Sequence, residues 1–498
     1  MNRRVLGSGA VSAVLGAAMA LGQAPLGLWP VALVALALLI GQVAGPQATR
    51  PRLWRAWAGG VGYFGASLFW IVEPFMVDAA HDGWMAPFAL VGLAGGLALF
   101  WLMAAAVAAP HRSGGERAAG FALGLAATDL LRSYALTGFP WALLGHVWIA
   151  TPVAQAAAFV GPVGLSVLTV ALAASVVVPS TGRARAVGGL IGLCTLGAVW
   201  AAGSLRLSQP EAAVTQPVIV RLVQPNATQA LKWQPGMWDE FLRRQMQASA
   251  APAARPLDLV VWPETSVPYL LEDSDGLLAA AVAAAHGVPL ALGIQRAEGT
   301  LYYNSLAVSD ATGRLAALYD KHHLVPFGEY IPFGDLAEVF GITAFAARAG
   351  NGYTAGKGAA ILDLGRAGKV LPLICYEAVF PQDLRAAPGR ADWILQITND
   401  SWFGNLAGPW QHMAQARLRA IEQGLPLLRA ANTGMSAGFD AKGRMLGNLG
   451  LNQQGWLDIP VPAALPPTAY ARWGDWPETV LLILALLVAL GRRRQRSG

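Results

Sequence analysis

Cys375 lies in KVLPLICYEAVF, where an apolar strand-like run delivers a thiol to a Tyr-Glu corner, and no other cysteine occurs beyond Cys194. A thiol attacks a carbonyl carbon only as thiolate, so it needs a base or a nearby cation to become reactive. Two groups of that kind stand in the same part of the chain. Glu264 closes the run LVVWPE, where a carboxylate is placed to accept the thiol proton. Lys321 ends RLAALYDK, and a fixed ammonium beside an acyl carbon stabilises the oxyanion that forms on attack. Glu329 follows eight residues on in VPFGEYIP, where Pro326, Gly328 and Pro332 constrain the backbone, as holding a carboxylate rigidly near Lys321 would require. Taken singly, Glu264 also reads as a strand-end surface residue and Lys321 as a solvated turn lysine. Together the three types compose a covalent, thiol-based acyl chemistry.

The elements that must position these groups are legible as short apolar runs alternating with amphipathic stretches. From Gln216 the chain reads VIVRLVQPN, MWDEFLRRQMQASA, LDLVVWPE, SDGLLAAAVAAAHG, PLALGIQR, YYNSLAVSD, KVLPLICYE, DWILQITND and HMAQARLRAIEQG. That alternation predicts a layered α/β fold with strands buried between helices. The cluster PVPAALPP at 460–467 reads as a linker. There is no Gly-rich phosphate loop and no Cys or His pair at metal spacing, so neither cofactor nor metal is expected. His322 and His323 are adjacent, and in an extended segment they would point to opposite faces, against joint ligation. Asp400 in ITNDSWFG and His412 read as loop-holding residues.

The rest of the chain has another texture. Its 498 residues are 55% hydrophobic and only 13% charged, with a mean hydropathy of +0.45, which excludes an ordinary soluble protein. A bilayer core takes about 20 apolar residues per helix. Seven candidate spans precede residue 205, at 5–22, 26–44, 58–76, 84–109, 118–134, 152–178 and 187–204, and an eighth is Glu478 to Gly491, flanked by Trp473 and Trp476. The expected organisation is a membrane domain over 1–205, an exported catalytic domain over 206–472, and a last helix with a basic tail over 473–498. Arg3, Arg4, Arg50, Arg52, Arg55, Arg112, Arg117, Arg183, Arg185 and the RRRQR tail fall in alternate connections, and cytoplasmic loops collect such residues. The formal charge of +6 therefore reads as a topology signal, with no nucleic-acid partner. The N-terminal 24 residues also resemble a signal peptide, but the apolar run close behind fits a retained hairpin better. Glu73, Asp129 and Arg132 lie in or beside spans, where ionisable groups are costly.

The phrases LKWQP, VVWPETSVP, YYNSL, YDKHHLVPFGEYIP, LICYEAVFP, ITNDSWFG and QHMAQARLRAIEQGLPLLRAANTGMS, set after seven apolar runs, resemble the bacterial apolipoprotein N-acyltransferases. That family is a membrane branch of the nitrilase, or carbon-nitrogen hydrolase, superfamily. The resemblance covers essentially the whole chain and implies a multi-span α-helical membrane domain plus an exported nitrilase-like αββα sandwich. It implies Glu264 as general base, Lys321 as oxyanion stabiliser and Cys375 as nucleophile, with Glu329 supporting them. Trp233, Asn304, Tyr376 and Glu377 would line or gate the site. The implied reaction takes an acyl chain from a phospholipid, typically phosphatidylethanolamine, onto the thiol as a thioester. It then passes the chain to the α-amine of a diacylglyceryl-cysteine opening an apolipoprotein. The resemblance places the protein in the bacterial inner membrane with its catalytic domain in the periplasm. A monomer is expected, because the membrane removes the need for the pairing that soluble superfamily members use. The stretch FGITAFAARAGNGY, with Phe340, Ile342 and Phe345, reads as a lid, although each of these residues also fits ordinary core packing. A membrane-anchored amidase or nitrilase would share the triad but need only one anchor. A transporter with an inert exported module would need paired polar groups inside its spans.

Overall fold

A computed structural model describes residues 3–210, 212, 214–232, 234, 236–332 and 352–495. Trp233 and the Phe340, Ile342 and Phe345 stretch lie outside these residues. The chain divides into two compact units, one of residues 1–209, 406–418 and 468–498, the other of 210–405 and 419–467.

The first unit is helical. Its elements are α1 (Arg3–Ala20), α2 (Trp29–Ala44), α3 (Thr49–Ser67), α4 (Ala86–Ala108), α5 (Gly114–Tyr134), α6 (Ala157–Ala174), α7 (Gly182–Ser208) and a closing helix, Trp476–Gln495. Among the described residues, three helical stretches are long and apolar enough to cross a membrane: Ala79–Ala108, Pro152–Ala174 and Gly182–Ser208. Helix α3 begins nine residues before the expected span at 58–76 and ends nine before it. The polar start TRPRLWR hid it from a hydropathy reading, yet its arginines are used within the fold. Arg52 donates to the carbonyls of Val43, Gly45 and Gln47, and Arg55 to that of Gln42, so their charges meet the open C-terminal end of α2. Helix α6 bends where Gly161 takes φ +60° ahead of Pro162, and a Cβ there would fall 2.0 Å from the Tyr470 ring.

The ionisable residues of α5 form a brace. Arg132 and Asp129 are both buried and meet at 3.1 Å. Arg132 donates to the carbonyls of Phe139, Trp141 and Ala142, while Asp129 accepts from the Leu144 amide at 2.9 Å and the Ser166 hydroxyl at 2.8 Å. Two buried charges are thus used to fix the chain after α5, where no regular backbone bonding exists. Glu73 is half-buried at the start of a short helix, Glu73–Met76.

The second unit holds two six-stranded sheets. One runs β12-β1-β2-β3-β4-β5 and the other β11-β10-β9-β8-β7-β6. The strands are β1 (Ile219–Gln224), β2 (Leu259–Val261), β3 (Leu290–Glu298), β4 (Leu301–Ser309), β5 (Leu315–Asp320), β6 (Leu362–Asp363), β7 (Lys369–Ile374), β8 (Trp393–Thr398), β9 (Leu427–Ala431), β10 (Ala437–Phe439), β11 (Met445–Asn448) and β12 (Gly455–Pro460). β1, β2 and β3 pair in parallel, as do β7, β8 and β9, and the edges are antiparallel. Parallel strands are covered on both faces, which is why β2 reads as a continuous apolar run and β1 and β8 are apolar but for Arg221, Gln224, Gln396 and Thr398. One core joins the sheets through Val220, Leu222 and Val261 on one side and Val370, Leu395 and Leu428 on the other. A second lies outside the first sheet, where α8 (Met237–Ala250) and α9 (Asp275–Ala284) lay Ala248, Leu278 and Val282 on Val260, Trp262 and Leu292. Each such fully buried side chain contributes about 1.5–3 kcal/mol, so the strand ends are held on a rigid base.

Candidate active site

The chemistry-bearing residues cluster at strand ends, three of them after parallel strands and Lys321 after the antiparallel edge strand β5. Glu264 follows β2, Lys321 follows β5, Cys375 follows β7, and Asn399 follows β8. Open α/β sheets offer their sites at such carboxyl ends, because the strands stop while their direction still aims the next side chain.

Backbone pairing sets the detail. The Lys321 amide donates to the Asn304 carbonyl at 2.8 Å, continuing the β4–β5 ladder and laying the two side chains together. Gly293 on β3 allows the turn after β2 to close in, since a Cβ there would sit 2.5 Å from the Glu264 Cα. Cys375 adopts φ +52°, an uncommon conformation for a residue with a side chain, and the Gln396 amide holds it by donating to its carbonyl at 3.1 Å. Thr265, after Glu264, and Phe327, near Glu329, also have positive φ. Such strain gathers at functional sites.

The Lys321 ammonium is almost wholly buried, 2.9 Å from Glu329 Oε1 and 3.6 Å from Glu264 Oε1. Asn304 donates to both carboxylates, at 2.7 Å to Glu264 and 3.3 Å to Glu329. The outer oxygens are held by backbone, Glu264 Oε2 by the Asn399 amide at 2.7 Å and Glu329 Oε2 by the Val325 amide at 2.8 Å. Burial works to lower the Lys321 pKa, but Glu329 and Glu264 outweigh it and hold the ammonium charged. Burial pushes the Cys375 thiol well up, Glu264 and Asp400 add to the rise, and Lys321 and Thr398 oppose it. The resting sulfur is therefore protonated, and its proton must leave as it attacks.

Glu377 has no exposed surface and sits behind this cluster rather than in its wall. Its Oε1 accepts from the amides of His322 and His323 and from the Tyr319 hydroxyl at 2.8 Å, and its Oε2 from the Ile374 amide at 2.6 Å. Burial would raise its pKa, but His322 and these donors hold it below the usual carboxylate range. Tyr376 is buried edge-on to Phe380 and His323, with ring centres 4.8 and 5.8 Å away. The two histidines do not face apart: both approach Asp383, His323 Nδ1 at 2.8 Å and His322 Nε2 at 3.6 Å, because the loop turns after Lys321.

Several residues the sequence reading passed over belong to the same framework. Asn432 donates to Asn399 Oδ1 at 3.0 Å and to the Ala227 carbonyl at 2.7 Å, tying the Glu264 clamp to the segment that opens the short helix Gln229–Lys232. Lys232 is buried within electrostatic reach of Glu264, its pKa lowered by burial to about 8. LKWQP, ITND and RAANTG already contained these residues, but amides and a lone lysine carry no pattern that separates a site from a surface. Asp400 is buried against Arg429. His412 lies in the helical unit, its ring 5.6 Å from that of Trp141. A buried thiol beside an ammonium and two carboxylates, the carboxylates held by backbone amides, is equipped for covalent acyl transfer.

Residues 219–465 match the carbon-nitrogen hydrolase family, and residues 15–175 match the apolipoprotein N-acyltransferase N-terminal domain. Apolipoprotein N-acyltransferase of Rhodopseudomonas palustris is 37% identical over 97% of this chain and 95% of its own. That of Caulobacter vibrioides is 38% identical over 96% and 94%. Among solved structures, a CN-hydrolase superfamily protein from Xanthomonas campestris aligns over 53% of this chain and 97% of its own, at 20% identity and a TM-score of 0.36. With a helical region matching the one domain, a two-sheet unit matching the other, and these relatives aligned over nearly the whole chain, the chain belongs to the apolipoprotein N-acyltransferases.

Proposed function

We propose that this acyltransferase moves an acyl chain from a phospholipid, typically phosphatidylethanolamine, to the α-amine of a diacylglyceryl-cysteine at the start of an apolipoprotein, through a thioester on Cys375. As the sulfur attacks the ester carbonyl, Glu264 takes its proton and the new C–S bond forms. Lys321 faces the oxyanion. The C–O bond then breaks, and the lysophospholipid leaves with the proton that Glu264 returns. In the second half the amine attacks the thioester, Glu264 takes a proton from it, and the C–S bond breaks to leave the amide and a thiolate, which Glu264 reprotonates. Glu329 and Asn304 hold Lys321 and Glu264 in register, Glu377 fixes the loops behind them, and Tyr376 belongs to the surroundings of the acyl group. The observation that carries this assignment is the ammonium 2.9 and 3.6 Å from two carboxylates beside a buried thiol.

The same reading gives a membrane domain over 1–205 with seven spans, a periplasmic catalytic domain over 206–472, and a closing span with a cytoplasmic tail over 473–498. The protein works as a monomer in the inner membrane. A phospholipid donor never leaves the bilayer, so a tethered site meets it directly, and apolar walls around the sulfur keep water from competing with the amine. The test is mass spectrometry of the purified protein given phospholipid and then a diacylated lipopeptide. An acyl adduct on Cys375 that passes to the peptide amine supports the assignment. N-acylation by Cys375→Ser at the wild-type rate refutes the nucleophile. Release of free fatty acid in place of peptide acylation favours the hydrolytic alternative.

A further inference from the structure

Behind the sulfur, on the side away from the roles just assigned, lies a row of buried polar groups. Ile374 pairs in parallel with Ile397, so the register sets the next residues, Cys375 and Thr398, side by side where β7 and β8 end. The Thr398 hydroxyl is in hydrogen-bond contact with the thiol and lies 3.0 Å from Asp400 Oδ1. Asp400 is paired with Arg429, which also donates to the Met435 carbonyl at 3.2 Å. Thr398, Asp400 and Arg429 are all buried. Apolar side chains would fill this space at no desolvation cost, so an ion pair kept here against the nucleophile calls for a role.

A hydroxyl has one proton to give and lone pairs to accept with. While the sulfur is a thiol, the Thr398 O–H donates to Asp400 and leaves an oxygen lone pair toward the sulfur. Once the sulfur is negative, that arrangement would set an oxygen lone pair against an anion. Rotation about the Cβ–Oγ bond then turns the O–H from Asp400 to the sulfur. Asp400 can release it because Arg429 still compensates its charge, and the same pairing damps the carboxylate's repulsion of a negative sulfur. The charged groups facing the sulfur are Glu264 after β2, Lys321 after β5 and Asp400 after β8.

We propose that Thr398 is a further catalytic residue, donating a hydrogen bond to the Cys375 sulfur whenever that atom is anionic, with Asp400 and Arg429 as positioning residues for its hydroxyl. The sulfur carries charge twice, when it attacks the donor ester and when the C–S bond breaks on amine attack. Thr398 keeps its own proton throughout, so the proton balance stays with Glu264. The proposal rests on Cys375 as nucleophile, but its test does not require turnover.

The experiment uses the full chain with Cys194→Ala, so that Cys375 is the one remaining thiol. Its carbamidomethylation by iodoacetamide is followed by intact mass from neutral to alkaline pH. Thr398→Val is expected to move the profile up by about one pH unit or more, the worth of a hydrogen bond to a charged group. It also slows transfer from a preformed Cys375 thioester to a peptide amine about tenfold. Thr398→Ser restores both. A folded Val variant with the wild-type profile overturns the proposal, and so does a Ser variant as impaired as Val. Should Val not fold, Thr398→Ala carries the same readout. Loss of turnover in Cys375→Ser bears on the nucleophile, whereas the alkylation profile bears on Thr398 alone.

Discussion

Replacing Lys321 by methionine keeps the length of the side chain and removes its charge. With Nζ 2.9 Å from Glu329 and 3.6 Å from Glu264, the direct attractions at an effective dielectric near 20 are about 6 and about 5 kcal/mol. Taking three ions out of water returns several kcal/mol for each, so the net worth is far smaller than this sum. Removing one partner of a buried pair costs about 3–5 kcal/mol, because the remaining charges lose their compensation. The kinetic loss is separate. An oxyanion that loses this cation is expected to form about 10²–10³-fold more slowly. The assay is single-turnover thioester formation on Cys375 from phospholipid, followed by intact mass, on variant protein whose melting transition shows it to be folded. Lys321→Arg should fail as well, since a planar guanidinium does not fit a site only 1% exposed. Thioester formation by folded Lys321→Met within tenfold of wild type would refute the oxyanion role and leave the lysine a structural ion.

Because burial, Glu264 and Asp400 hold the resting thiol protonated, its alkylation is expected to be slow at neutral pH and to speed up as pH rises; fast alkylation at neutral pH would contradict a base-assisted attack. Glu264→Gln should abolish thioester formation without making the sulfur less accessible, as a small alkylating reagent at alkaline pH can check. Asp129→Ala leaves Arg132 buried without its carboxylate and should cost about 3–5 kcal/mol, read as a lower melting temperature in detergent, while Ser166→Ala, which removes one hydrogen bond to the Asp129 carboxylate, should cost about 1.5–3 kcal/mol. Burial would lower the His322 pKa, but Glu377 and Asp383 outweigh it and raise it. Its stabilising contribution is then full below the unfolded value of about 6.5 and fades as pH rises through the higher folded value. The stability gained by wild type on acidification across that window should shrink in His322→Asn, and an unchanged pH dependence would count against the pairing.

The residues of the candidate site could be picked out because they coincide with strand ends. LICYE, VVWPE and LYDK each pair an apolar run with a reactive group, so the type of residue and the element that aims it can be read together. Glu377 reads from the sequence as lining or gating the site, and its hold on the Ile374, His322 and His323 amides was not legible, because its position next to Tyr376 says nothing about which way a tight turn points it. The clamp on Glu264 was invisible for another reason: Asn399 acts through its backbone amide, which every residue but proline has. Gln396 stands out in WILQIT as the one amide in a buried strand, and a buried polar group with no neighbour in sequence is the clue that could have led to the Cys375 carbonyl. In the helical unit, hydropathy located the apolar runs but not the start of α3, since Arg52 and Arg55 serve carbonyls brought near by folding.

The Glu377 carboxylate receives the Ile374 amide, just before Cys375, and the His322 and His323 amides, just after Lys321, and is itself fully buried. Loosening either loop therefore means breaking bonds to one shared anion, so the sulfur and the ammonium travel as a single piece. Accommodation of a long donor tail and then a lipidated peptide must come from the walls, leaving the spacing between attacking atom and charge alike for both guests. A catalyst built on that plan discriminates among acyl chains by how they enter, and treats them alike once they arrive.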